Sequence, residues 1–179
     1  MSSAPPLSLK LLNSMNRTGF ATALGFAFEL SPWVVERAWS ERPFASVEAL
    51  HAAMMDVLGA ASVEDKLALI RAHPELASKA AIAKQLTAES NAEQASAGLD
   101  RLTPEEFARF HDLNAAYSER FGFPFIIAAL KNTREQILSE FERRLCLDAG
   151  AAFEAALQQV ELITGLRIER MIPVQEERP

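Results

Sequence analysis

Apolar residues return at helical spacing along nearly the whole chain, and most such runs open on a residue able to cap a helix. Ser8 precedes "LKLLNSM". The stretch "FATALGFAFEL" at 20–30 is hydrophobic on every side and is expected to be helical. Ser31-Pro32 opens "WVVERAW", with proline in the first helical position that it favours. Ser46 starts "VEALHAAMMDVL", and Ser62 with Asp65 resembles a capping box ahead of "KLALIRA". The clearest start is Thr103-Pro104-Glu105-Glu106, which combines a cap, a proline and a glutamate at the box position. It launches "FARFHDLNAAYSERF", which Gly122 can close in the left-handed conformation. Thr133 and Gln136 form another box before "ILSEFERRL", and "AAFEAALQQVELITGLRIERMI" carries the spacing almost to the end.

Strand signals are nearly missing. Composition would allow a strand only at "FPFIIAAL", residues 123–130, and one strand has nothing to pair with. It is expected to be a buried apolar segment entering a helix after the Gly-x-Pro break at 122–124. The pattern predicts an all-α fold: a single compact domain over 1–179, about eight helices, with flexible tails at 1–6 and 173–179.

Composition adds limits. At 179 residues the chain fits one domain, and its 49% hydrophobic and 23% charged content is that of an ordinary globular protein. A net charge of −6 argues against nucleic acid or an anionic membrane surface as the main partner. No apolar run reaches the ~18 residues that a membrane span needs. Cys146 is the only cysteine, which excludes an intrachain disulfide framework and suits a reducing compartment. "MSSAPPLSLKLLNSMN" lacks a signal-peptide pattern and "QEERP" is no peroxisomal address, so the expected location is the cytoplasm.

Familiar chemical motifs are lacking. The sequence has no GxGxxG, no GxxxxGK[ST] and no GxSxG. Its histidines, at 51, 73 and 111, do not fall in HxxxH or HExxH spacing, so no zinc site is expected. What remains is cofactor-free acid–base or electrostatic chemistry. His51 and His111 lie within helical runs and read as structural or surface residues. His73, in "RAHPELA", differs because Pro74 restricts the residue before it and ends the helix there. Such a histidine is either a plain helix terminus or a side chain presented to a cleft.

"LTAESNAEQASAGL" at 86–99 has only alanines as apolar residues between 87 and 98. One reading is an exposed helix, since it has little to bury. The other is a pocket wall: Ser90, Glu93 and Gln94, at i, i+3 and i+4, share one face. That face offers a hydroxyl, a carboxylate and a carboxamide to a small ligand rich in N–H and C=O groups. "RFGFPFIIAAL" reads mainly as core, although its break could leave backbone N–H groups available to oxygen ligands. Arg167, in "GLRIERM", is either an exposed cation or a ligand-binding one.

Together these stretches resemble the 2-oxo-4-hydroxy-4-carboxy-5-ureidoimidazoline (OHCU) decarboxylase family. The resemblance runs through "RPF" (42–44), "AHPELA" (72–77), "LTAES..EQ..AGLD.LT.EEF..F..LN..Y..RFGFPFI" (86–126) and "LRIERM", and spans roughly residues 8–172. It implies an all-helical homodimer without cofactor, acting on OHCU to give (S)-allantoin in the last step from urate. It implies His73 and Glu93 as catalytic residues. Pro74, Ser90, Asn91, Ala92, Glu93, Gln94, Phe125, Ile126, Ile127, Ala128, Ala129 and Arg167 would be the substrate-binding set. Ser78, where the family commonly has Gly, and Lys131, where Arg is common, depart from the pattern at its edges. Two rival classes are a non-catalytic helical adaptor, which predicts Glu93 in solvent, and a hydrolase of the preceding ureide, which would need a second base to activate water.

Overall fold

Side-chain caps set most of the helix starts. The Ser8 hydroxyl accepts from the Leu11 N–H to open α1 (Leu9–Ser14), and Asn16 accepts from Gly19 to open α2 (Arg17–Ala23). Ser31 and Pro32 begin α3 (Pro32–Ala38), and Ser46 caps α4 (Val47–Gly59). Then come α5 (Val63–Ala72), α6 (Lys79–Ile82) and α7 (Ala88–Ser96). The capping boxes expected at Thr103–Glu106 and Thr133–Gln136 form, opening α8 (Pro104–Phe121) and α9 (Arg134–Leu145). The long α10 (Ala149–Met171) completes the order. This computed structural model describes residues 7–83 and 85–172, so the expected tails at 1–6 and 173–179 lie outside the described residues. Among the described residues there is no strand, and the fold is all-α.

Two expectations need correction. The apolar stretch at 20–30 is not one helix: α2 starts three residues earlier, at Arg17 behind its Asn16 cap, and ends at Ala23. Turns follow, through Gly25, to Leu30, which has φ +45° and an exposed side chain. Glycine weakens a helix interior, and beyond the last helical bond, from the Leu24 N–H to the Phe20 carbonyl, Ala27 and Phe28 are buried by packing within turns. The 123–130 segment does not enter a helix either. It runs without helical turns to Ala128 and makes one 3₁₀ turn at Ala129–Lys131 before α9.

The described chain divides into two compact units. The first joins the described residues up to Ser62 with those from Ile163 onward. In it α3 packs on α2 and α4, around Phe20, Phe28, Val34, Leu50 and Met54. Arg42 lies over the Trp39 ring at 3.9 Å and donates to the carbonyls of Asn13, Met15 and Trp39. His51 Nε2 and Thr164 Oγ1 are 2.9 Å apart, a structural contact as expected for that histidine.

The second unit is Val63–Leu162. Its α8 packs on α9, and its core is an aromatic cluster. Tyr117 meets the rings of Phe121, Phe123, Phe125 and Phe141, and Phe125 stacks on Phe141 at 3.7 Å between centroids. Burial pushes the Tyr117 phenol above its ordinary pKa. Gly122, at φ +74°, ends α8 in the left-handed conformation and turns the chain from this cluster into the 123–129 segment.

Candidate active site

Three segments of the second unit converge. The first is the loop after α5. That helix ends at Ala72, as the proline at 74 requires, and His73 follows with its side chain buried. His73 Nδ1 is 3.0 Å from the Leu69 carbonyl oxygen. A carbonyl only accepts, so Nδ1 carries the proton and, in the neutral ring, Nε2 is the basic nitrogen. Nε2 is itself buried. The loop beyond it is fixed from outside. Asn114 Nδ2, from α8, donates to the Leu76 carbonyl at 2.7 Å. Gln94 Oε1, from α7, accepts from the Ala77 N–H at 2.9 Å. Ala77 is buried and held at φ +51°, a conformation that L-residues rarely adopt. A cavity of about 540 Å³ runs along this loop, lined by Pro74, Glu75, Ala77, Lys79, His111 and Asn114 among others.

The second segment is α7, capped by the Thr87 hydroxyl on the Ser90 N–H. Its face of Ser90, Glu93 and Gln94 is turned inward, at 4%, 7% and 6% exposure. That excludes the exposed helix, which would leave Glu93 in water. The burial also runs against the usual logic of helices, in which the polar face is the wet one. Asn91 is half-buried, its Nδ2 donating to the Leu86 carbonyl, and Ala92 points outward. The helix ends before Gly98, at φ +73°.

The third segment is 123–129. Phe125, Ile126, Ile127, Ala128 and Ala129 are all buried, and the turn that begins at Ala129 packs against α7. The expected helix start with open N–H groups does not exist. Instead, side chains hold the backbone: Arg144 Nη1 donates to the Ile126 carbonyl at 2.8 Å, and Gln159 Oε1 accepts from the Ala128 N–H at 2.9 Å. Asn132 Nδ2 donates to the Ala128 carbonyl. Glu140 receives Arg143 and Arg144 together, and the hydrogen bond from Arg143 is the foremost cause holding its carboxyl down to about 2.

Arg167 belongs to the first unit. It is 3% exposed, which removes the surface reading, and its Nη2 donates to Glu29 Oε1 at 2.9 Å. Nη1 faces the carbonyls of Phe26 and Ala27 at 3.3 and 3.5 Å. Glu29, Asn114, Arg144 and Gln159 were not singled out in the sequence. For two of them a signal existed. Gln159 follows Ala152 and Ala156 at helical spacing, and Arg144 follows Ile137 and Phe141, so each is a polar residue on a buried stripe.

In chemical terms the second unit gathers a buried imidazole of fixed tautomer, a carboxylate, a hydroxyl, a carboxamide and an irregular backbone segment. Among the described residues no three His, Cys, Asp or Glu side chains are grouped to hold a metal ion.

The family model described as OHCU decarboxylase matches residues 13–169. A 2-oxo-4-hydroxy-4-carboxy-5-ureidoimidazoline decarboxylase of Halalkalicoccus jeotgali is 40% identical over 165 residues, 92% of each chain. One from Haloferax volcanii is 41% identical over 162 residues, covering 90% of this chain and 94% of that one. Among solved structures, an (S)-allantoin synthase superposes with a TM-score of 0.71 at 28% identity. That match covers 93% of this chain, which spans about half (54%) of the synthase. An OHCU decarboxylase crystallised in the presence of (S)-allantoin shares the fold, with a TM-score of 0.66 at 20% identity over 87% of this chain and 97% of that one.

Proposed function

This chain belongs to the OHCU decarboxylase family, and on that premise we propose that it decarboxylates OHCU to (S)-allantoin, with His73 as the proton carrier and Glu93 as the carboxylate that orients substrate. The observation that carries the assignment to these residues is the inward polar face of α7, joined to the His73 loop by the 2.9 Å Gln94–Ala77 hydrogen bond. Burying a serine, a glutamate and a glutamine side by side costs desolvation that partners must offset, and Gln94 meets one in the Ala77 N–H.

The chemistry suits that set. The scissile carboxylate of OHCU sits on a ring carbon that also bears a hydroxyl and adjoins a C=N bond. When the C–C bond breaks, its electron pair forms a double bond to the ureido-bearing carbon. The C=N pair moves onto nitrogen, which takes up one proton. Carbon dioxide leaves, and the product at that point is an enol. The hydroxyl must then lose its proton while the ureido-bearing carbon gains one on a single face. His73 Nε2 takes the first proton and returns one to carbon, a role suited to imidazole near neutral pH. Glu93 accepts from ureido N–H groups, and its negative charge near the departing carboxylate favours loss of carbon dioxide over tighter ground-state binding. Ser90, Gln94 and the backbone at 125–129 supply the remaining donors and acceptors.

Among the described residues no helix is long and apolar enough to cross a membrane. A homodimer without resident cofactor is the form implied by the family resemblance, and light scattering at micromolar concentration tests the assembly. The activity is tested by circular dichroism at allantoin wavelengths, with urate oxidised in situ and the preceding hydrolase supplied. Optically active (S)-allantoin should accumulate faster than in the enzyme-free control. A racemic product at the control rate would refute the function.

A further inference from the structure

Two peptide planes of the 123–129 segment are pinned on one atom each. The Ile126 carbonyl is held by Arg144 at 2.8 Å, and the Ala128 N–H is held by Gln159 at 2.9 Å. A trans peptide is planar, and its C=O and N–H point in opposite directions. Fixing the Ile126 carbonyl therefore aims the Ile127 N–H the other way, and fixing the Ala128 N–H does the same for the Ile127 carbonyl. Ile127 is buried, and among the described residues neither its N–H nor its C=O enters a hydrogen bond. Buried backbone groups are almost always paired, so an open donor and acceptor on one residue mark a place for a ligand. The turn beginning two residues later packs on α7, whose inward face carries Ser90, Glu93 and Gln94.

We infer that Gln159 and Arg144 are positioning residues: they aim the Ile127 N–H and C=O as a donor–acceptor pair that reads an amide or ureide edge. This deepens the proposed function and rests on it for the identity of the substrate. An –NH–C(=O)– edge is complementary to such a pair, and both the ring and the ureido arm of the proposed substrate carry one. Arg144 is anchored for the task. It is 3% exposed, bonded to Glu140 at 2.7 Å, and its guanidinium lies 4.9 Å over the Phe125 ring. Gln159 is half-buried at the wall of a cavity of about 680 Å³ that Arg144 also lines, so its replacement leaves no void in the aromatic core.

The test compares Gln159→Leu, which cannot accept from the Ala128 N–H, with Gln159→Glu, which can. Gln159→Leu should raise KM about tenfold, the worth of roughly one neutral hydrogen bond. Its kcat should fall less, and Gln159→Glu should restore KM toward the wild-type value. A Gln159→Leu enzyme with wild-type KM would overturn the inference while leaving the function standing, whereas an inactive wild-type protein would overturn the function. A second arm needs neither variant nor turnover. In ¹⁵N-labelled wild-type protein, titration with (S)-allantoin should shift the Ile127 amide resonance, and an Ile127 amide unmoved by saturating allantoin would overturn the inference directly.

Discussion

Gln94 Oε1 accepts the backbone N–H of Ala77 at 2.9 Å, and Ala77 is the buried residue at φ +51° that turns the chain just after His73 and Pro74. One side chain from α7 thus holds the loop in a conformation that costs an L-residue about 1–2 kcal/mol. Gln94→Leu should leave the Ala77 N–H buried and unpaired, destabilising the protein by about 1–3 kcal/mol. Ala77→Gly relieves the backbone and should be neutral or stabilising by up to about 1 kcal/mol, because glycine also gains entropy in the unfolded chain. Urea denaturation of the two variants checks both signs. A stable Gln94→Leu protein would mean that the loop holds itself.

How much of this was legible in the sequence depended on whether the signal was local. Capping boxes at Thr103 and Thr133 and the Gly122 stop depend on residues three or four apart, and they formed as expected. The stretch at 20–30 misled because hydrophobicity on every side says only that residues are buried, and coil can bury them as well as helix. For α7, composition was compatible with both exposure and a pocket wall. What ruled out exposure was a partner distant in sequence, the Ala77 N–H that Gln94 accepts, which no local pattern encodes. Gln159 and Arg144 escaped notice because a polar residue within an apolar stripe was absorbed into the helix pattern.

Acid should act on the second unit through Glu140. Its folded-state pKa of about 2 lies below the ordinary 4.5, chiefly through the hydrogen bond from Arg143 and then that from Arg144. A depressed carboxylate pKa stabilises the fold fully above the unfolded value and loses that contribution as pH falls toward the folded one. The stabilisation by Glu140 should therefore be complete above about pH 4.5 and fade between there and about pH 2. Thermal melts of wild type and Glu140→Gln should differ at pH 7 and converge in acid. A gap of constant size across that range would contradict the linkage.

The Glu29–Arg167 pair makes a separate demand on the first unit. Both side chains are buried, each 3% exposed. Removing one partner strands a buried charge, which typically costs about 3–5 kcal/mol. Glu29→Ala should lower Tm sharply, whereas the double variant Glu29→Leu/Arg167→Met should recover much of the loss. Differential scanning calorimetry of the three proteins gives the comparison, and additive losses in the double variant would refute the pairing.

On the proposed mechanism, His73 carries the proton that sets the product's handedness. The measurement is the rate and enantiomeric excess of allantoin formed by His73→Ala and His73→Asn, followed by circular dichroism. A positioned acid–base group supplies about 10²–10⁴ in rate, so kcat should fall by that factor. Both variants should stay folded, because the ring's bond to the Leu69 carbonyl lies within its own turn of chain. Protonation of the enol in water has no preferred face, so enantiomeric excess should drop toward zero as the background takes over. His51→Gln, whose native ring contacts Thr164 in the other unit, should match wild type in both quantities. A His73→Ala protein that retains near-wild-type rate and enantiomeric excess would mean that His73 is not the proton carrier.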